Sequence, residues 1–159
     1  MSEHQINNDP VLTIGAIASQ LKIAVQTVRM YEDLGLILPT RTLTGRRMYS
    51  FKDLEKLRCI RRLITEEGLN INGIKKLMAM IPCWEFKGGL DNDCLNCPAY
   101  IEAIGPCWAA KEVGKKCQSV DCRACPVYQM NFSCNELKDL LARKNYRTNI
   151  KIDEGVENR

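Results

Sequence analysis

Histidine is almost missing from this chain of 159 residues: the only one is His4, in a polar stretch near the N-terminus. A tetrahedral zinc site elsewhere in the sequence would therefore have to be all-cysteine. Long apolar runs are absent too. No segment approaches the roughly 20 apolar residues that cross a bilayer, and Met1–Pro10 is polar and unlike a secretory signal. The expectation is a soluble cytoplasmic protein with no membrane partner. Its length supports one good core or two small ones.

Cysteine, by contrast, is abundant: nine residues, an odd count that leaves one unpaired in any intramolecular disulfide scheme. In a reducing cytoplasm, clustered thiols indicate metal or redox chemistry more often than a disulfide framework. Nothing in the sequence sets a general base beside a thiol, so an enzyme such as a thiol oxidoreductase is not expected.

The net charge of +4 is unevenly spread. Residues 11–82 carry twelve Lys or Arg against six Asp or Glu, whereas residues 83–134 carry five against six. The positive charge thus sits on one module, which points to a polyanionic partner for that module alone.

Within it, Ile14, Ile17, Ala18 and Leu21 recur at helical spacing, Lys22-Ile23-Ala24 interrupts them, and a second helical run extends from Val25 to Leu34. Gly35 is placed to stop that run. Two short helices about a tight turn make a helix-turn-helix, whose second helix enters a major groove. Its outward residues include Gln26, Thr27 and Arg29. The following PTRTLTGRRMYS, basic and with a glycine turn, reads as a hairpin or wing that carries Arg46 and Arg47. Ser50 and Asp53 form a capping-box pattern ahead of a helix lined by Leu54, Leu57, Ile60, Leu63 and Ile64. Cys59 falls on the packed side of that helix and reads as a small core residue. A fourth helix spans Ile71 to Ile81 and stops at Pro82.

The run TIGAIASQLKIAVQTVRMYEDLGLI followed by TGRRMYSFKDLEKLRCIRRL resembles the DNA-binding domain of the MerR family of bacterial transcription regulators. The resemblance covers residues 12–81 and rests on three motifs in order: T-x-R-x-Y-E-x-x-G-L from Thr27, the G-x-R-x-Y-S wing from Gly45, and the D-L-x-x-L helix from Asp53. Met30 departs from the aromatic residue common at that position and, with EEGLNINGIKKL, leans toward the heat-shock-repressor (HspR-like) branch. The resemblance implies that Thr27 and Arg29 approach the major groove, that Tyr31 contacts the DNA backbone, and that Arg47 and Tyr49 grip phosphate. For each tyrosine a half-buried packing role is the competing reading. The implied partners are double-stranded promoter DNA, a second copy of the chain in a homodimer, and RNA polymerase at the promoter.

The other eight cysteines are Cys83, Cys94, Cys97, Cys107, Cys117, Cys122, Cys125 and Cys134, and they form a degenerate repeat. Cys83-Trp84 precedes CLNCPAY, and Cys107-Trp108 precedes CRACPVY. C-x-x-C lets two thiolates reach one metal or one cluster face across a tight turn. The segment is poor in aliphatic residues and rich in turns, so it needs a staple. It resembles the small cysteine-rich unit known as a two-CW domain, which implies an architecture more than a chemistry.

Three readings compete for these thiols. Disulfides fit the compartment least well. Structural zinc under four thiolates is one alternative, and the proline after each C-x-x-C, with tryptophans beside cysteines, tips the balance toward an iron-sulfur cluster or a related redox site. Sequential quartets, Cys83/Cys94/Cys97/Cys107 and Cys117/Cys122/Cys125/Cys134, would make two sites. One shared site with free thiols is equally compatible with the spacing.

The whole is expected to be mainly α. A disordered tail over residues 1–10 leads into a MerR-like winged helix-turn-helix DNA-binding domain at 11–82. An irregular cysteine-rich metal-binding domain at 83–134 and a C-terminal helix and tail at 135–159 follow. In the resembled family a long dimerisation helix follows the DNA-binding domain directly. Here Pro82 and the cysteine module take that place, so dimerisation is expected through the cysteine module, the helix from Asn135 to Tyr146, or both.

Overall fold

The computed structural model describes residues 8–129. Cys134 and the helix expected over Asn135–Tyr146 lie outside the described residues, as do the first seven residues of the tail.

The helix-turn-helix follows the apolar periodicity. α1 spans Ile14–Leu21, with the Thr13 side chain accepting from the Ala16 N–H at 3.2 Å, and it buries Ile17 and Ala18. Lys22 takes a left-handed conformation, φ 53°, and closes the turn into α2, Val25–Asp33. α2 turns Val28 and Tyr31 inward. Gly35, at φ +73°, lies just beyond its cap, with the Gly35 N–H on Glu32 O (2.8 Å) and the Leu36 N–H on Tyr31 O (2.9 Å). This is the Schellman closure that glycine adopts at no steric cost.

The wing is a hairpin of β2, Thr40–Arg41, and β3, Arg47–Tyr49, joined through Gly45. A strand that the sequence reading lacks, β1, Leu12–Thr13, pairs with β3 on its other edge, giving the order β1-β3-β2 with Leu12 opposite Tyr49. Two residues are too short to show alternation. α3, Phe51–Thr65, starts with the full Ser50–Asp53 capping box, and α4, Ile71–Ala79, with the Asn70 side chain accepting from Gly73. α4 stops short of the expected Ile81, because the Met80 N–H closes on Leu77 O at 3.2 Å. Ile17, Val28, Leu36, Tyr49, Leu57, Ile60 and Ile74 fill the core between these elements. Cys59 is buried with them, and it is also disulfide-bonded, which corrects the expectation of a packing role alone.

The cysteine module has no element longer than five described residues: α5 Cys83–Phe86, α6 Asn92–Leu95, α7 Pro98–Glu102, a 3-10 turn at Cys107–Ala109, α8 Lys115–Gln118 and α9 Pro126–Gln129. The sequence repeat is a structural one. Each C-x-x-C closes a turn, with the Cys97 N–H on Cys94 O (3.1 Å) and the Cys125 N–H on Cys122 O (3.2 Å). Each next residue is a proline opening a helix, where its missing N–H has no role. In each half the CW tryptophan meets the tyrosine of the same half edge to face, Trp84 with Tyr100 at 5.6 Å and Trp108 with Tyr128 at 5.0 Å. The halves differ in setting, since Tyr100 is 37% exposed and Tyr128 3%. Among the described residues no helix is long and apolar enough to cross a membrane.

Gly35 marks where the second half docks. A Cβ on it would lie 2.4 Å from the Ala109 Cβ, in a backbone conformation that already disfavours side chains. Gly35→Ala is expected to lower stability by about 2–3 kcal/mol, combining the left-handed cost with overpacking. Ala109→Gly in the same chain should restore only the steric part. Denaturant midpoints of the two single variants and the double variant measure that coupling.

Candidate functional site

The DNA-facing candidates separate by exposure. Gln26 and Arg29 are exposed on the outer face of α2 and Thr27 is half-buried beside them, while Arg46 is exposed on the wing. Tyr31 and Tyr49 lie in the core, at 3% and 0% exposure. Tyr49 donates its hydroxyl hydrogen to Glu32, and Arg47 pairs with the same carboxylate at 2.7 Å. Glu32 therefore fixes the wing to α2 from a position where it is itself nearly buried. The sequence reading passed over Glu32, although it stands in the Y-E step of the motif.

The cysteine module grips this domain at the base of the wing. The Trp108 Nε1–H donates to Gly35 O at 2.8 Å, and the Leu38 N–H donates to the Tyr128 hydroxyl at 2.9 Å. Arg123, between the thiols of the second C-x-x-C, pairs with Asp53 at 2.9 Å and also donates to Leu38 O. Asp53 is 2% exposed and already accepts from Ser50 N and Ser50 Oγ, while the Tyr128 hydroxyl donates to its other oxygen at 3.2 Å. From the next turn of α3, Lys56 donates to Tyr128 O at 2.9 Å and sits 3.4 Å from the centre of the Tyr128 ring. None of these contacts was expected. The one available signal was a charged residue, Arg123, inside a C-x-x-C.

Burial pulls the Lys56 ammonium down from the ordinary 10.5 to about 7, with Asp53 opposing the shift. Burial and the Asp53 carboxylate push the Tyr128 hydroxyl up, so it is a hydroxyl donor at neutral pH.

Seven described cysteines are free thiols: Cys83, Cys94, Cys97, Cys107, Cys117, Cys122 and Cys125. They form one neighbourhood. Burial, then Cys94, Cys117 and Cys97, raise the Cys83 thiol; burial, then Cys83, Cys117, Cys125 and Cys122, push Cys107 up to about 12. Lys87 stands among them, on the side of Cys117. Cys97 Sγ accepts from the Gly114 N–H at 3.2 Å, and Cys94 Sγ lies 3.7 Å from Gly89 O. Among the described residues no three potential ligands already form a group that could hold a metal ion. The chemistry of the set nevertheless suits thiophilic metals, which displace thiol protons on binding. Raised thiols are poor nucleophiles, which argues against turnover of disulfides.

The sequence pattern of MerR HTH family regulatory proteins matches residues 12–81. Residues 12–81 are a MerR-family helix-turn-helix domain. Relatives of this MerR-type domain include a Streptomyces coelicolor protein described as a heat shock protein, HspR, 36% identical over 78 residues, which cover 48% of this chain and 52% of that protein. The transcriptional regulator GlnR of Bacillus cereus is 38% identical over 71 residues, covering 45% and 54%. The mercuric resistance operon regulatory protein of Bacillus cereus is 41% identical over 69 residues, covering 43% and 52%. The chain thus spans about half the length of the curated relatives it matches, and similar identities to HspR and GlnR do not single out the heat-shock branch. The family match ends at residue 81, just before the clustered cysteines begin at Cys83.

Lys56 gives the site a pH signature. Between about 7 and 10.5 the unfolded chain holds the Lys56 proton and the folded chain does not, so stability rises with pH through that window. Cys107 acts oppositely above its ordinary 9.0, where the folded chain retains a proton that the unfolded chain has lost. The metal-free, reduced protein is expected to gain stability from pH 7 to 9 and then turn over. Lys56→Met should flatten the rise, as followed by denaturant midpoints across that range.

Proposed function

We propose that this chain is a promoter-binding transcription regulator of the MerR type, working in the cytoplasm, whose cysteine module controls the DNA-binding domain through the metal or redox state of its thiols. The single observation that carries this reading is the grip of Arg123, Tyr128 and Trp108 on the segment from Gly35 to Leu38 and on Asp53. That segment leads into the wing at Thr40, and Asp53 caps the helix that follows the wing. A change at the second C-x-x-C therefore reaches both ends of the wing through direct contacts.

In DNA binding, α2 enters the major groove. Arg29 reads a base edge, Gln26 and Thr27 add polar contacts, and Arg46 and Arg47 meet phosphate. Tyr31 and Tyr49 serve by holding α2 and β3 in register from the core. Two copies of the chain bind two half-sites, and RNA polymerase is the partner at the promoter. The thiols hold zinc or an iron-sulfur cluster. The group supplies a bound state that differs from the thiol state in charge and in the spacing of its ligands. A constitutive zinc-stapled scaffold is the second reading, favoured by how little apolar surface the short helices bury.

Arg29→Ala should cost about 1–3 kcal/mol on a selected DNA site and much less on random DNA. Arg46→Ala should weaken binding to both and reduce the salt slope by about one. Fluorescence anisotropy across a salt series separates the two, and equal behaviour of both variants on both DNAs contradicts the assignment. For control by the thiols, DNA affinity is compared with and without bound metal, under reducing and oxidising conditions. Arg123→Ala should retain the metal and lose the response. An affinity indifferent to all four conditions in the unmutated chain overturns the control.

A further inference from the structure

The free thiols do not gather by halves of the sequence repeat. Cys107, Cys117, Cys122 and Cys125 line one cavity of about 30 Å³, with Lys87 and Trp108 also in its wall. The four come from three segments: the 3-10 turn, α8, and the second C-x-x-C. Cys94 and Cys97 lie off this cavity. Of the two groupings that the spacing leaves open, sequential quartets would put Cys107 in a first site and the other three in a second, whereas one shared site with free thiols fits this cavity.

We propose that Cys107, Cys117, Cys122 and Cys125 form one tetrathiolate site for a single thiophilic divalent cation of the zinc class, and that closing this site sets the grip on the wing. The proposal rests on the reading of the cysteine module as the controlling element and specifies its ligands. The donor set is all sulfur, which suits a tetrahedral ion or an iron-sulfur cluster. The gap the four thiols line is small, about 30 Å³, and a single ion held by four thiolates is the smallest group that bridges it.

Binding transfers no electrons. Four S–H bonds break, four metal–sulfur bonds form, four protons leave to solvent, and the site acquires a net charge of minus two. The Lys87 ammonium, on the wall of the same cavity, offsets part of that charge. The thiols are gathered but open, since among the described residues no three of the candidate ligands are yet in a metal-holding group. Loading therefore draws them inward. Cys122 and Cys125 flank Arg123, so the same contraction moves the residue that pairs with Asp53 and donates to Leu38.

The test counts zinc bound by the reduced, metal-free full chain for the unmutated protein, Cys107→Ser, Cys122→Ser and the double variant. One shared site predicts that each single variant and the double variant lose the same one zinc per chain. A loss of two in the double variant assigns the cysteines to separate sites and overturns the quartet, while leaving a thiol-controlled regulator intact. No loss in the single variants, or no zinc bound by the unmutated chain, overturns it as well. Alkylation by N-ethylmaleimide in the unmutated chain guards against misfolded variants. Added zinc should protect Cys107, Cys117, Cys122 and Cys125 in parallel, and protection of Cys107 that does not track Cys122 and Cys125 overturns the assignment. Whether DNA affinity responds to metal is a separate readout and bears on the broader reading alone.

Discussion

The carboxylate of Asp53 is the point on which both modules converge. One oxygen closes the capping box with Ser50 and pairs with Arg123; the other accepts from Tyr128. A carboxylate at 2% exposure is tolerable only with such a complement of donors, because an unpaired buried charge costs several kcal/mol. The local requirement of a helix start and the long-range requirement of an ion pair are met by the same group. The position of the wing follows from it, since Ser50 directly succeeds Tyr49 at the end of β3.

Buried ion pairs are poor stabilisers relative to apolar packing, and they lose much when one partner moves. Lys56 adds to the tension: it is 4% exposed, and its amine is held by one carbonyl and two aromatic faces. A contact of this kind contributes little net stability and depends steeply on geometry. That is a suitable property for an element with two arrangements, because a ligand needs only a modest difference in affinity between two states of similar energy to shift their balance. The first half of the repeat, with Tyr100 exposed, meets the helix-turn-helix domain at its surface, where the Lys76 ammonium donates to Ala103 O at 2.7 Å.

The helix-turn-helix was legible because its signals are local. Periodicity at Ile14, Ile17, Ala18 and Leu21, the glycine after α2 and the Ser50–Asp53 cap each depend on neighbours within one or two turns. β1 was not legible, since a two-residue strand is defined by its partner, β3, and by nothing in its own pattern. The same limit explains Arg123. Its charge was visible, but its partners Asp53 and Leu38 lie some seventy and eighty-five residues earlier. The repeat of CW and C-x-x-C-P-x-Y returns in the fold as two tryptophan–tyrosine pairs, each within its own half, which the spacing alone did not announce. It was uninformative about the thiols, because ligands follow spatial proximity, and short helices joined by turns bring Cys107 and Cys117 to the second C-x-x-C.

The position of the cysteine module follows from what it lacks. Its buried residues are few, chiefly Cys94, Pro106, Cys125, Val127 and Tyr128, and its helices of four or five residues bury too little to order themselves. Order has to be borrowed, and there are two sources. One is the core of the helix-turn-helix domain, on which Trp108 packs; the other, under the proposal above, is an ion held by the thiols. Trp108 belongs to the apolar clusters of both modules, so the two sources are not independent. If the thiols control the wing as proposed, tightening them stiffens the surface that Trp108, Arg123 and Tyr128 present to it, and by reciprocity DNA that selects one position of the wing selects one arrangement of the thiols.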